Sequence, residues 1–308
     1  MKWIRLATVA TLTSTIFAGG VQAVANDEPT PNQEPSGERR RQNTENNIEF
    51  RAGDGESVEV VPPVPYPPVT IVDPDPPTGP LTIAHVPKKF DFGIQRISTT
   101  NEFYPIIAEQ EKLVTGDDEG EEISRDNGEE VRVPFVSFAQ IVDTRGLIDS
   151  QWELNLDLTE FTTSSGSNLR GAYLELLEPT IVHNGATEEE LQALPDDHED
   201  KDYLLQLLPN AFTTPNELGN QSLIIPANST NVPVMSATDG QGQGVSSIYW
   251  GDQEELNAAH ESETDPVLNH AIRLHIPGTA TPQAAEYTAT LTWHLTSAMD
   301  ANGETVPD

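Results

Sequence analysis

Ten residues near the C-terminal end, Tyr287-Thr288-Ala289-Thr290-Leu291-Thr292-Trp293-His294-Leu295-Thr296, alternate strictly between apolar and polar side chains. In an extended chain successive side chains point to opposite faces, so Tyr287, Ala289, Leu291, Trp293 and Leu295 share one face. Thr288, Thr290, Thr292, His294 and Thr296 share the other. A period of two over this length predicts a half-buried strand, and β-branched threonines suit its polar side. A second segment of the same design lies far upstream in Trp152-Glu153-Leu154-Asn155-Leu156-Asp157-Leu158, with Trp152, Leu154, Leu156 and Leu158 on one face. Each strand demands an apolar layer to cover one face. The two Trp-x-Leu segments therefore predict the sheet elements around which the rest of the chain packs.

Between them the chain reads as short strands separated by turn signals. Leu81–Val86 is a strand stopped by Pro87, and the Phe90/Phe92 pair again faces one side. Gly116–Glu130 is acidic and punctuated by Gly and Asp-Asn-Gly, which predicts an exposed loop or hairpin end. Val131–Val142 reads as one strand with an edge or bulge at Pro134. Asp143-Thr144-Arg145-Gly146 turns the chain into the Trp152 strand. Leu169–Leu177 reads as strand, and 187–208 as at most two short helices split by Pro195, with Thr187 and Glu190 forming a cap. Leu223–Ile225, Val232–Met235 and Ile272–Ile276 are further strands. Gly240-Gln241-Gly242-Gln243-Gly244 is a turn leading to Ile248-Tyr249-Trp250, and Asp252–Pro266 is a second acidic insert. The expected fold is all-β, mainly an antiparallel β-sandwich or barrel, with one or two short helices in an insert.

The N-terminal quarter is different. Lys2 and Arg5, an apolar stretch from Leu6 to Gly19 and the small residues around Ala23 fit a secretory signal peptide over 1–25. The apolar stretch is shorter than the roughly 20 residues a membrane helix needs, and no later stretch approaches that length, so membrane insertion is not expected. Residues 26–80 are polar and then proline-dense, predicting a disordered acidic arm and a semi-rigid spacer. The folded domain is expected over 81–297, with a tail at 298–308 that carries no apolar or basic anchor.

Charge and cysteine usage limit the partners. The formal net charge is −34, and removing Lys2 and Arg5 with the signal takes it to −36. Nucleic acid and anionic membrane are repelled by such a chain. Cysteine is absent, so an exported domain must rely on an apolar core rather than disulfides. Catalytic patterns are incomplete: His260-Glu261 and His198-Glu199 each lack a second His four residues on, and the Gly240–Gly244 run lacks the setting of a nucleophile elbow. The chain is read as a non-enzyme. No metal or other cofactor is assigned, although the acidic loops at Asp117–Glu122 and Asp196–Asp202 have the oxygen donors Ca2+ prefers.

The two Trp-x-Leu strands, the Asp143-Thr144-Arg145-Gly146 turn, Phe90-Asp91-Phe92-Gly93 and the closing Tyr-x-Ala-x-Leu-Thr-Trp-x-Leu resemble the WxL family of Gram-positive surface proteins. The resemblance spans roughly Leu81–Ser297. It implies a secreted, extracellular domain held non-covalently at the cell wall, with peptidoglycan as the ligand and other surface proteins as further partners. It carries ligand binding onto Trp152, Leu154, Trp293 and Leu295. Two readings stand for these indoles: stacking platforms for sugar rings, or core residues, since each shares a face with aliphatics. Trp250, beside the Gly-rich turn, is the candidate for an exposed ring.

Overall fold

The Trp152–Leu158 strand pairs on one side with Leu291–Thr296 and on the other with Ser229–Ala237, so the two Trp-x-Leu segments are direct neighbours. Their antiparallel register sets Leu295 opposite Leu154 and Trp293 opposite Leu156. The computed structural model describes residues 58–71, 77–115, 121–124, 128–147, 150–238 and 240–297. All belong to the second of two units, Ala52–Asp308; the first, Met1–Arg51, lies outside the described residues. So do the expected signal peptide, the arm as far as residue 57 and the tail at 298–308.

The strands are antiparallel throughout, as expected, but they form four small sheets rather than the two broad layers of a sandwich. Asn210–Ala211 completes the four-stranded sheet just described. A five-stranded sheet runs Thr214–Pro215, Gln221–Pro226, Tyr173–Leu177, Leu268–Ile276, Glu102–Ile107. A second runs Ala186–Thr187, Thr180–His183, Gly244–Trp250, Ser137–Asp143, Leu81–His85. These three sheets share one core that includes Trp152, Leu154, Leu156, Leu174, Ile225, Ile248, Trp250 and Ile272. A fully buried aliphatic contributes about 1.5–3 kcal/mol, so this cluster replaces the missing disulfides.

The fourth sheet, Val69–Thr70, Glu109–Leu113, Arg132–Phe135, packs with helix Gln253–Glu261 around a separate core of Val60, Val133, Phe135, Phe138 and Leu256. Two expectations change here. The stretch Val131–Val142 is two strands in two sheets, broken at Val136. The break is sealed by Gln253, whose Oε1 accepts the Val136 N–H at 3.0 Å while its Nε2 donates to the Pro134 carbonyl at 2.9 Å. The second acidic insert is a helix, capped by Asp252, which accepts from the N–H groups of Glu254 and Glu255.

Packing also begins upstream of Leu81. Val60, Val69 and Ile71 are buried, and the Val61 backbone is held at both ends by one side chain, Gln140, at 2.9 and 2.6 Å. That buried amide gives a proline-rich segment the pairing its sequence denies it. The helices Glu188–Gln192 and Lys201–Gln206 lie where expected, the first with the Thr187–Glu190 capping box. With Gln253–Glu261 the described residues hold three helices, where one or two were expected.

The Asp143-Thr144-Arg145-Gly146 turn has a structural reason. Asp143 and Arg145 form a bidentate pair, at 2.9 and 2.8 Å, with both side chains essentially enclosed. The same guanidinium donates to Ser297 Oγ at 2.6 Å and to the Gln151 carbonyl at 3.3 Å. It thus ties together the start of one Trp-x-Leu strand and the end of the other.

Candidate functional site

The main core is open on one side. A cleft of about 1170 Å³ lies between two stretches outside the named strands, 87–98 and 282–290. Its floor is core: Leu158, Phe161, Leu169, Leu174 and Leu274. Its walls carry the half-buried rings of Phe90, Phe92, Tyr104 and Tyr287. Ile94 and Ile97 stand at the mouth, 103% and 57% exposed, large apolar groups that the chain leaves in water.

Local chemistry shapes the first bank. Asp91 Oδ1 accepts the Gly93 N–H at 2.9 Å, a side-chain turn completed by a φ of +64° at Gly93. The Asp91 carbonyl accepts the Ile107 N–H at 2.7 Å, which anchors the bank to the end of the Glu102–Ile107 strand. Lys89 Nζ lies 2.6 Å from Asp91 Oδ2, and this bond, with that from Gly93, holds the Asp91 carboxyl below its ordinary range. The second bank is tied down by reciprocal backbone bonds between Thr162 and Thr288, at 2.9 and 3.0 Å, and by the Gln283 N–H donating to Tyr287 Oη at 2.8 Å.

Charge is balanced here. Lys88, Lys89 and Arg96 line the cleft together with Asp91, Glu102 and Glu286, three of each sign in a chain of net charge −34. Hydrogen bonds from Ser98 and Thr100, each 2.7 Å, keep Glu102 ionised by lowering its pKa. Burial, with Glu102 nearby, raises the Tyr104 phenol. A smaller cavity of about 280 Å³ adjoins, sharing Lys88, Lys89, Asp91 and Ile107 and adding Glu109 and Glu111, whose carboxyls are raised by burial.

The motif residues take a different place. Trp152 and Leu154 are buried in the main core, as one of their two readings has it. The Gly-rich turn closes over Trp152: Gly242 has φ +69°, and a Cβ placed there would lie 2.7 Å from the indole. Trp250 is fully enclosed, not exposed, because its strand runs through the middle of a five-stranded sheet and its ring packs 6.4 Å from that of Trp293. Trp293 and Leu295 are half-buried on an edge strand. None of these five lines the cleft. The lining residues Phe90, Phe92 and Tyr287 belong to the quoted motifs without having been singled out as site residues. The signal was there in Phe90-Asp91-Phe92-Gly93, an aromatic pair beside a turn that no strand or helix pattern needs.

Among the described residues no group of three or more His, Cys, Asp or Glu is placed to hold a metal. In the Asp196–Asp202 loop the Asp196 carboxylate pairs with Lys201 at 3.1 Å, and residues 117–120 of the other acidic loop lie outside the described residues. No helix among the described residues is long and apolar enough to cross a membrane.

A family model described as WxL domain, surface cell wall-binding, matches residues 37–298. The match takes in both Trp-x-Leu strands and both banks of the cleft. No curated protein and no solved structure matches the chain.

Proposed function

Because this chain belongs to the WxL-domain family of surface cell wall-binding proteins, we propose that it is exported and holds peptidoglycan non-covalently, without catalysis, in the cleft between 87–98 and 282–290. One observation carries the reading. The cleft joins exposed and half-buried apolar groups to a local balance of charge, on a protein that would otherwise repel an anionic wall. Over a Debye length of about 8 Å that repulsion acts everywhere except where bases offset acids. Phe90, Phe92 and Tyr287 offer ring faces of the kind that cover the apolar side of a sugar. In this reading Trp152 and Leu154 hold the sheet, and Trp293 and Leu295, which keep exposed surface, flank the ligand. Side chains alone make the contacts, with no metal.

Co-sedimentation of the full protein with sacculi stripped of protein and teichoic acid tests this. The wild type should pellet, Phe92→Ala and Tyr287→Ala should pellet several-fold less, and Ile224→Ala, at an exposed residue that does not line the cleft, should behave as wild type. Sacculi should release no soluble fragments during the incubation; released fragments would mean a hydrolase. A second reading, a component of a surface complex located by another protein, is favoured by the edge strand Leu291–Thr296, which among the described residues pairs only with Trp152–Leu158. Folded wild type that stays in the supernatant would favour it.

A further inference from the structure

The lining of the cleft narrows what can occupy it. Three bases and three acids line it. Lys89 pairs with Asp91 at 2.6 Å, the charge of Lys88 acts on Glu109 and Glu111, and Ser98 and Thr100 hold Glu102. A carboxylate or phosphate would therefore meet as much repulsion as attraction there. A purely apolar ligand such as an acyl chain would take water from these charged groups and return no hydrogen bonds. Both demands are met by a ligand that is uncharged, with hydrogen-bonding edges and apolar faces. The apolar faces have their counterpart in five aromatic rings, Phe90, Phe92, Tyr104, Phe161 and Tyr287, on the walls and floor. Two of these rings are fixed before any ligand arrives. Tyr287 Oη accepts the Gln283 N–H at 2.8 Å, and Tyr104 Oη donates to the Arg96 carbonyl at 3.4 Å. Rings held in place spare a ligand the cost of ordering them.

We propose that the cleft takes the glycan chain of peptidoglycan, as a run of N-acetylated sugar units, and not its stem peptide. Phe90, Phe92 and Tyr287 lie against the apolar faces of the sugar rings, and the acetamido methyls turn to the floor of Leu158, Leu169 and Leu274. This rests on the reading of the cleft as the wall site and names the part of the wall that occupies it. The methyl groups matter because a sugar edge bearing hydroxyls alone would lose hydrogen bonds against leucines. Size agrees with a polymer: the cleft is about 1170 Å³, above the roughly 300–1,000 Å³ of a pocket for one small molecule. Ile94 and Ile97 continue the apolar surface past the mouth, where further units of a chain would pass. Charge explains the exclusion of the stem peptide, whose carboxylates gain nothing from a lining that is balanced in sign.

The test is a binding titration of the full protein with three soluble probes: chitotetraose, cellotetraose, which has the same linkage without acetamido groups, and a free stem peptide. Chitotetraose should bind, and the other two should bind at least about tenfold more weakly. Raising NaCl from about 0.05 to about 0.5 M should change the chitotetraose affinity by less than about twofold, since an uncharged ligand leaves no attraction to screen. Phe92→Leu keeps apolar bulk but loses the ring and should lose about tenfold, whereas Phe92→Tyr should bind as wild type. The double variant Ile94→Ser/Ile97→Ser, at exposed positions that the fold does not need, should bind several-fold more weakly. Unchanged circular dichroism and Tm would confirm the fold of each variant. Equal binding of cellotetraose, tighter binding of the stem peptide, a chitotetraose affinity that falls with salt, or Phe92→Leu binding as wild type each overturns the proposal while leaving wall binding intact. So does a protein that pellets with sacculi and ignores chitotetraose. Failure both to pellet with sacculi and to bind chitotetraose removes the wall site and this proposal together.

Discussion

His183 shows how a single buried residue couples this domain to pH. Its ring is enclosed by the protein: Nδ1 lies 2.9 Å from Ser246 Oγ and Nε2 3.0 Å from Asn184 Nδ2, inside a five-stranded sheet. Burial pushes the imidazole down from 6.5 to about 4. Between those values the unfolded chain binds a proton that the folded chain refuses, so stability falls as pH drops through the window. The whole loss is about 3 kcal/mol, complete below the folded value and absent above the unfolded one. Glu109 and Glu111 act in the opposite sense, because burial raises their carboxyls and the folded state takes up those protons first. Comparing wild type with His183→Gln cancels their part. In urea titrations the stability difference between the two proteins should move by about 3 kcal/mol towards the variant on going from neutral pH to about pH 4. A difference independent of pH would mean the ring titrates normally.

At the scale of elements, the helix Gln253–Glu261 is the piece that sequence patterning passes over. Its first residue is also the patch for a broken strand, since Gln253 satisfies both Val136 N–H and the Pro134 carbonyl. Gln253→Ala should leave both groups buried and unpaired and destabilise the domain by about 2 kcal/mol or more. Asp252→Ala removes only the helix cap and should cost about 1 kcal/mol. Urea midpoints at constant m-value measure both. Equal costs would show that Gln253 contributes as a helix residue and not as a strand seal. The Thr187–Glu190 cap was legible because both members of the box stand at fixed spacing. The Gln253 seal was not, since its partners lie 117 and 119 residues away in sequence.

For the whole molecule, solution conditions act on stability through its net charge. A net charge of −34 repels itself in the folded state, and added salt screens that repulsion. Tm should therefore rise between about 0.01 and about 0.5 M NaCl. Reductant should leave it unchanged, because the chain has no cysteine. A Tm that falls with salt would mean that favourable ion pairs such as Asp143–Arg145 and Glu175–Arg273 outweigh the self-repulsion.

Period-two alternation is a local property, so the sequence by itself determined that the chain is antiparallel β and that the two Trp-x-Leu segments are strands. It also identified the capped helix after Thr187, the Asp143–Gly146 turn and the family. The tertiary structure decided which of those strands are neighbours, and that three sheets share one core while a fourth stands apart with its own. It decided that Trp250 is enclosed and that the proline-rich stretch before Leu81 packs through Gln140. The cleft as an opening belongs to this second class, although its Phe90-Asp91-Phe92-Gly93 bank stood out in the sequence. Alternation says that one face of a strand is covered but not by what, and an opening in a core is the place where the covering elements fail to meet.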